Sequence, residues 1–250
     1  MTDFSYQLYS SRNFPPLADT LKMLGNLGYA QVEGYGGLFS NLDDLATLKS
    51  DLAANELTMP TGHFGLDMVE GDVARVVDIA KQLGMTALFV PAVGPEERTK
   101  DAAGWVALGK RLAEAGKPIL DAGIKFGWHN HAFELVDLGI EEKPLDLILQ
   151  GNDLAVELDL AWLQVGGENP LDWIARYGDR LVAAHIKDLA PEGEAADEDG
   201  WADVGHGVMD WPSLVVALRA TQVQYMVMEH DNPTDHERFA RRSLATAKKF

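Results

Sequence analysis

The chain contains no cysteine. That absence excludes structural disulfides, thiolate zinc sites and cysteine nucleophiles together. Cations are scarce as well: 21 Lys and Arg stand against 39 Asp and Glu, for a formal charge of −18. Such a field repels nucleic acid and anionic membrane surfaces, whose phosphates are gripped by Lys and Arg. It suits a divalent cation and neutral small molecules. No apolar run approaches the roughly eighteen residues of a membrane span. The start, "MTDFSYQLYSSRN", lacks the basic head and apolar core of a signal peptide. The expectation is a cytoplasmic protein with no nucleic-acid and no membrane partner.

A glycine-rich phosphate turn is missing too. The first candidate strand ends "LYSSRN", and the "GYGG" after the second lacks the G-x-G-x-x-G spacing of a dinucleotide fold. What is present is a repeat of apolar helix, turn and short apolar strand. In "PPLADTLKMLGNLGYAQVEGYGG", Leu17, Leu21, Leu24 and Leu27 fall at helical spacing, Gly28 stops the helix, and a strand starts at Ala30. The unit recurs around Gly84, Gly123 and Gly178, and again without glycine before residue 225. Eight strands are predicted, over 4–9, 30–34, 58–63, 86–91, 124–131, 154–160, 181–187 and 225–230. Strands alternating with helices imply a parallel sheet covered by helices. Eight such units in 250 residues predict an α/β fold, a single-domain (β/α)8 TIM barrel over 1–250. Residues 191–200, "PEGEAADEDG", read as a solvated acidic loop.

The active site of such a barrel lies at the carboxyl ends of its strands, and here those ends are crowded with chemistry. Strand two ends at Glu33 and strand three at His63. Strand five runs into "HNHAFE" (His129, His131, Glu134). Strand six reads "VELDLAW", strand seven "AHIKD" and strand eight "VMEHD". Residues two apart on a strand share a face. One ligand from each of four neighbouring strands gives His129 or Glu134, then Asp159, His185 and Glu229. A nitrogen and oxygen set without sulfur fits one divalent ion: Mn, Co, Mg or Zn. A single strand-end histidine is more often a packing residue than a ligand; four converging ends reverse that balance. Glu157 is expected in a structural ion pair, with Lys187 as the cation considered, and Asn130 on the opposite face bonding backbone. Glu33 and His63 are candidates for the substrate-binding wall, and Trp162 for a platform under a sugar ring. Trp128 and Trp201 are expected in the core. Lys187, a charge inside a barrel mouth, needs a partner.

Taken in order, "HNHAFE", "VELDLAW", "AHIKD", "GHGVMDW" and "VMEHD" resemble the xylose isomerase-like TIM barrel superfamily, which includes tagatose 3-epimerase-like and inosose dehydratase-like enzymes. The resemblance implies one divalent metal held by glutamate, aspartate, histidine and glutamate on strands five to eight. The last three carry over as Asp159, His185 and Glu229. His129, 30 residues before Asp159, stands where the family's first glutamate belongs, with Glu134 nearby as the other candidate. "GHGVMDW" is similar to the family's G-x-G-x-x-x-W/F segment (Gly205, Gly207, Trp211). "HNH" and "H-x-K-D" are similar to the inosose dehydratase branch.

The implied activity is a metal-dependent sugar isomerase or epimerase. It would take a proton from the carbon beside the carbonyl of a keto sugar or cyclic keto-polyol, through an enediolate. Glu229 is the first candidate base, with His131, Glu134 and Lys187 returning the proton or holding hydroxyls. A dehydratase on the same substrates is the alternative, since one carboxylate base opposite a histidine acid also suits loss of water. A non-catalytic sugar-binding barrel is a further alternative. A homodimer or homotetramer follows from the same resemblance. A nuclease resembling endonuclease IV is disfavoured by the charge, and phosphorylated sugars by the acidic loops after strands seven and eight.

Overall fold

The structure is a computed structural model that describes residues 4–40, 45–98 and 101–250. Its strands are Phe4–Gln7, Gln31–Gly34, Thr58–His63, Ala87–Val90, Lys125–His129, Ala155–Asp159, Leu181–Ile186 and Tyr225–Met228. We refer to them as the first to eighth barrel strands. They form a closed eight-stranded parallel barrel. The first strand pairs with the eighth, Tyr6 opposite Met228, and so completes the ring. The predicted α/β barrel is the fold observed. Among the described residues no helix is long and apolar enough to cross a membrane.

The helices are amphipathic, with local stop signals. In Val73–Leu83 the Asp72 carboxylate accepts from the Arg75 amide at the start, and Val76, Ile79 and Ala80 are buried at helical spacing. Gly84, at φ 73°, ends the helix in the left-handed region that glycine enters without strain. Burying one such aliphatic side chain is worth about 1.5–3 kcal/mol before entropy is counted.

Inside the barrel the layers change character with height. Ala87, Phe89, Ala155 and Ala183, with Tyr225 packed against them, form a small apolar floor. Gln7, Glu33, Thr61 and Glu157 stand above it, each with relative exposure of 0%. The registers explain this: Gln7 lies opposite Glu33, Glu33 opposite Thr61, and His129 opposite Glu157. Neighbours in a parallel register share a face, so one inward position per strand builds a layer. A register shift between Val156 and Glu157 then sets Asp159 opposite His185. Gly127 lets the fifth and sixth strands close up, because a Cβ there would lie 1.8 Å from the Ala155 carbonyl oxygen.

Past the seventh strand, Asp188–Leu189 and Trp201–Ala202 pair as an antiparallel ribbon. The segment between them was expected to be a solvated loop, and in part it is anchored. Glu198 is buried, accepting from the Thr234 amide and from Arg238 Nη2 at 2.8 Å. The loop is latched to the start of the last helix, His236–Ala247, by charge rather than by apolar packing.

Candidate metal centre and its pocket

At the carboxyl rim, His129, Asp159, His185 and Glu229 each offer one donor atom, and these atoms lie within 4.8 Å of one another. All four residues are buried. His185 Nδ1 is 2.9 Å from Glu229 Oε2 and 3.9 Å from Asp159 Oδ2. Asp159 Oδ2 is buried and lacks a hydrogen-bond partner. An unpartnered carboxylate oxygen in a protein interior is costly. Two imidazoles and two carboxylates around it fit a divalent cation, which would satisfy that oxygen. Local structure aims Asp159: its Oδ1 accepts from the Trp162 amide at 2.9 Å, capping the helix Leu160–Val165. Its backbone is clasped by Asn130, whose Oδ1 accepts from the Asp159 amide at 3.0 Å. Asn130 therefore bonds backbone, as the sequence predicts.

A second set of polar side chains lies beneath. Glu33 Oε1 is 2.7 Å from His185 Nε2 and accepts from Gln7 Nε2 at 2.8 Å. Glu157 Oε2 is 2.6 Å from His63 Nε2 and 3.1 Å from His129 Nδ1. The expected pairing of Glu157 with Lys187 is replaced by these histidines. Lys187 Nζ instead sits 2.6 Å from Asp231 Oδ1, 3.4 Å from Glu229 Oε2 and 3.8 Å from Asp159 Oδ2. It also lies 4.0 Å over the Trp201 ring and 5.1 Å over Trp162, both good seats for a buried cation.

Charge sorts these groups. Burial works against the Glu229 carboxylate, but Lys187 and His185 outweigh it and hold Glu229 below the usual carboxylate range. Glu33, also buried, is brought down to about 2 by His63 and His185. Burial raises Glu157 to about 7, with the Glu33 charge adding to it. Burial likewise lifts Asp159 to about 6 against the pull of Lys187. Burial opposes protonation of His185, yet Glu157, Glu229 and Glu33 raise its pKa well above the ordinary histidine value. That direction favours the protonated ring, whereas a ligand needs the neutral one, so protonation of His185 competes with ion binding.

The remaining sequence candidates divide. His131 borders the rim cavity, 5.1 Å from the His129 ring and 5.5 Å from Trp162, centroid to centroid. Burial, then Lys187, keeps its imidazole neutral, with the pKa lowered to about 3. Glu134 turns away from the cavity: it accepts from Trp128 Nε1 at 2.9 Å and from the His131 amide at 2.9 Å. It caps the short turn Ala132–Leu135 that ends the fifth strand at His129, two residues earlier than predicted. The described lining of the cavity does not include Glu33, Trp162, Lys187 or Glu134.

The cavity itself holds about 460 Å³, within the range of small-molecule sites. Its wall includes His63, His129, His131, Glu229 and Asp231. It also includes residues that the motifs did not reveal: Tyr9, Arg12, Tyr35 and Asp199. Arg12 stacks 3.8 Å over the Tyr9 ring and donates to the Asp231 carbonyl. A lone arginine just past the first strand carries no spacing signal. Its position, on the loop leaving a barrel strand's carboxyl end, is the one clue that could have found it.

Over residues 43–250 the sequence matches the family described as Xylose isomerase-like TIM barrel, and the chain belongs to that family. Among curated proteins it is similar to inosose dehydratase from Clostridium botulinum, 30% identical over 88 residues, which are 35% of this chain and 30% of that protein. The chain's matches span 30–37% of the length of such relatives. Among solved structures it is similar to a sugar phosphate isomerase/epimerase from Parabacteroides distasonis, with a TM-score of 0.80 at 19% identity, covering 97% of this chain and 92% of that one. It is also similar to the IOLI protein, solved with a zinc atom, with a TM-score of 0.73 at 16% identity and coverage of 99% and 96%. At such identities the likeness is one of fold.

Proposed function

We propose that this barrel is a divalent-metal-dependent sugar isomerase or epimerase acting on a keto sugar or cyclic keto-polyol. The observation that carries this is the convergence of His129, Asp159, His185 and Glu229 within 4.8 Å, with His129 and Glu229 on the wall of a 460 Å³ cavity. When bound, the cation supplies Lewis acidity beside the substrate carbonyl and steadies the negative charge that develops there. Glu229, ionised and facing the cavity, takes the proton from the neighbouring carbon. Lys187 reaches no substrate; it keeps Glu229 charged and fixes its orientation. His131, neutral and across the wall, hydrogen-bonds a hydroxyl, and the proton held by Glu229 is the one given back: to the adjacent carbon in isomerisation, or to the departing hydroxyl in dehydration. Tyr9, Tyr35 and Arg12 hold the ring at the mouth.

Elimination of water is the second reading. It is favoured by a histidine, rather than a carboxylate, at the strand-five position, and by the likeness to inosose dehydratases. The two are separated by incubating the Mn-loaded protein with keto sugars and inososes in deuterated water. Isomerisation gives deuterium incorporation and an isomer or epimer; dehydration gives a product lighter by one water. Neither exchange nor water loss across the panel, with the ion in place, would refute both. Unphosphorylated substrates should turn over faster than their phosphates, given Asp199, Glu229 and Asp231 on the wall.

Ion binding should depend on pH in a definite direction. The His185 pKa is raised in the cation-free protein, so a proton must leave before its nitrogen can ligate. Affinity therefore rises with pH until that raised value is passed. Below about 6 the Asp159 carboxyl is protonated as well, and the dependence steepens. Calorimetry in buffers of different ionisation enthalpy should find close to one proton released per ion near neutrality, and approaching two below pH 6. Affinity falling as pH rises through neutrality would contradict the ligand set.

A further inference from the structure

The lower set of polar side chains has no role in the chemistry above, although it occupies the most expensive space in the molecule. Glu33 and Glu157 are both fully buried, and neither borders the cavity. Each nevertheless touches a ring of the candidate metal centre from below. His185 spans the two layers: Nδ1 faces Glu229 at 2.9 Å and Nε2 faces Glu33 at 2.7 Å. His129 turns Nδ1 down to Glu157 at 3.1 Å, which leaves Nε2 for the rim.

A neutral imidazole carries one proton, and the nitrogen that carries it cannot ligate. A ligand histidine whose other nitrogen donates to a carboxylate is thereby fixed in tautomer and ring orientation. We propose that Glu33 and Glu157 are positioning residues of the metal centre: Glu33 holds the His185 ring with Nδ1 toward the cation, and Glu157 holds the His129 ring with Nε2 toward it. This rests on the metal-dependent reading above.

The two carboxylates are themselves fixed. Gln7 Nε2 donates to Glu33 Oε1 at 2.8 Å. His63 Nε2 lies 2.6 Å from Glu157 and 3.3 Å from Glu33, and so braces both. The chain thus sets opposite tautomers at its two ligand histidines, Nε2–H on His185 and Nδ1–H on His129. Glu33, on the second strand, steers a ligand on the seventh, and Glu157, on the sixth, steers one on the fifth. A rival use of the same atoms is a second, deeper ion, since donors of His63, His129, Glu157 and His185 also lie within 4.8 Å. The hydrogen-bond distances already pair those donors with one another, which favours the positioning role.

The test uses the full chain with zinc as the probe. Nitrogen-15 spectra of the zinc-loaded wild type should find the proton on Nε2 of His185 and on Nδ1 of His129. The reverse tautomer at either ring overturns the proposal without any variant. Zinc affinity, measured by competition with a chelator, should fall about 10–100-fold in Glu33→Ala and in Glu157→Ala. Glu33→Gln keeps an oxygen acceptor and the shape of the side chain, so it should fold and recover most of that loss. Unchanged affinity in both alanine variants, or in Glu157→Ala if Glu33→Ala does not fold, would sink the idea. So would two zinc ions per wild-type chain falling to one in His63→Ala, which would make the carboxylates ligands. No zinc bound to the wild type would instead fell the metal-dependent reading itself. One ion held with unmoved affinity would fell the positioning role alone.

Discussion

Asp159→Asn and Glu229→Gln are each expected to leave a folded barrel that holds no ion and turns nothing over, a loss on the order of a thousandfold or more, beyond the 10–100-fold cost of disturbing a ligand's partner. Asparagine at 159 keeps the oxygen that caps Trp162, and its backbone still bonds Asn130, so the rim stays in place. What vanishes is the charge of the buried Oδ2 oxygen, which has no hydrogen-bond partner. Glutamine at 229 likewise keeps shape while removing the charge that Lys187 and His185 face. Each variant leaves Lys187 with one fewer anion, so modest destabilisation should accompany the loss. Metal analysis of the purified variants, circular dichroism and deuterium-exchange turnover check the expectation together. A variant that folds, retains about one ion per chain and exchanges substrate protons at the wild-type rate would remove that residue from the ligand set.

The largest effect on stability is expected at a residue outside the four rim donors. Asp188 is fully buried and its carboxylate gathers the amides of Leu189, Gly205, Gly207 and Met209 and the Trp211 indole, at 2.8–3.3 Å. That is the physical content of "HIKD" followed by "GHGVMDW": the aspartate folds the glycine segment around itself. Gly207 must lack a side chain, because a Cβ would sit 2.1 Å from the Leu189 carbonyl oxygen. Asp188→Ala strands five donors at once and should cost about 3–5 kcal/mol. At about 2–4 °C per kcal/mol for a chain of this size, the melting temperature should drop by about 10 °C. Asp188→Asn should be nearly as harmful, because its amide nitrogen would point donors at donors. Ion content at low temperature should stay normal, since none of the five donors that Asp188 gathers belongs to the four rim residues. A shift of under about 2 °C in a thermal melt would refute the role.

The barrel and its rim were legible because both are written in short-range order. Strand and helix alternate with a fixed punctuation, and Asp159, His185 and Glu229 each end an apolar run. Observed strand bounds fall within two residues of those predicted; the fifth stops early because Glu134 caps a turn. The lower layer was not legible as a unit. Gln7, Glu33, Glu157 and His185 come from four strands, and Glu33 meets its histidine across 152 positions. No local pattern joins residues so far apart; parity along each inward face would have been the usable signal. Arg12 and Tyr9 escaped for a related reason, since the short turn Leu8–Ser11 and the residue after it follow no repeat. The acidic loop is solvated as read except at Glu198, which composition counts as one charge among many, whereas Arg238 waits for it 40 positions later.

Closure of the ring between the first and eighth strands has a consequence for how the protein comes into being. A ribosome delivers His129, Asp159 and His185 well before Glu229, and Gln7 before all of them. The four-donor set is complete only when Tyr225–Met228 inserts between the strand that carries His185 and the strand that carries Gln7. The fifth to seventh strands, paired with one another, bring three of the four rim donors together, and the fourth arrives only with the closing strand. A complete four-donor rim therefore marks a ring whose last seam has been zipped.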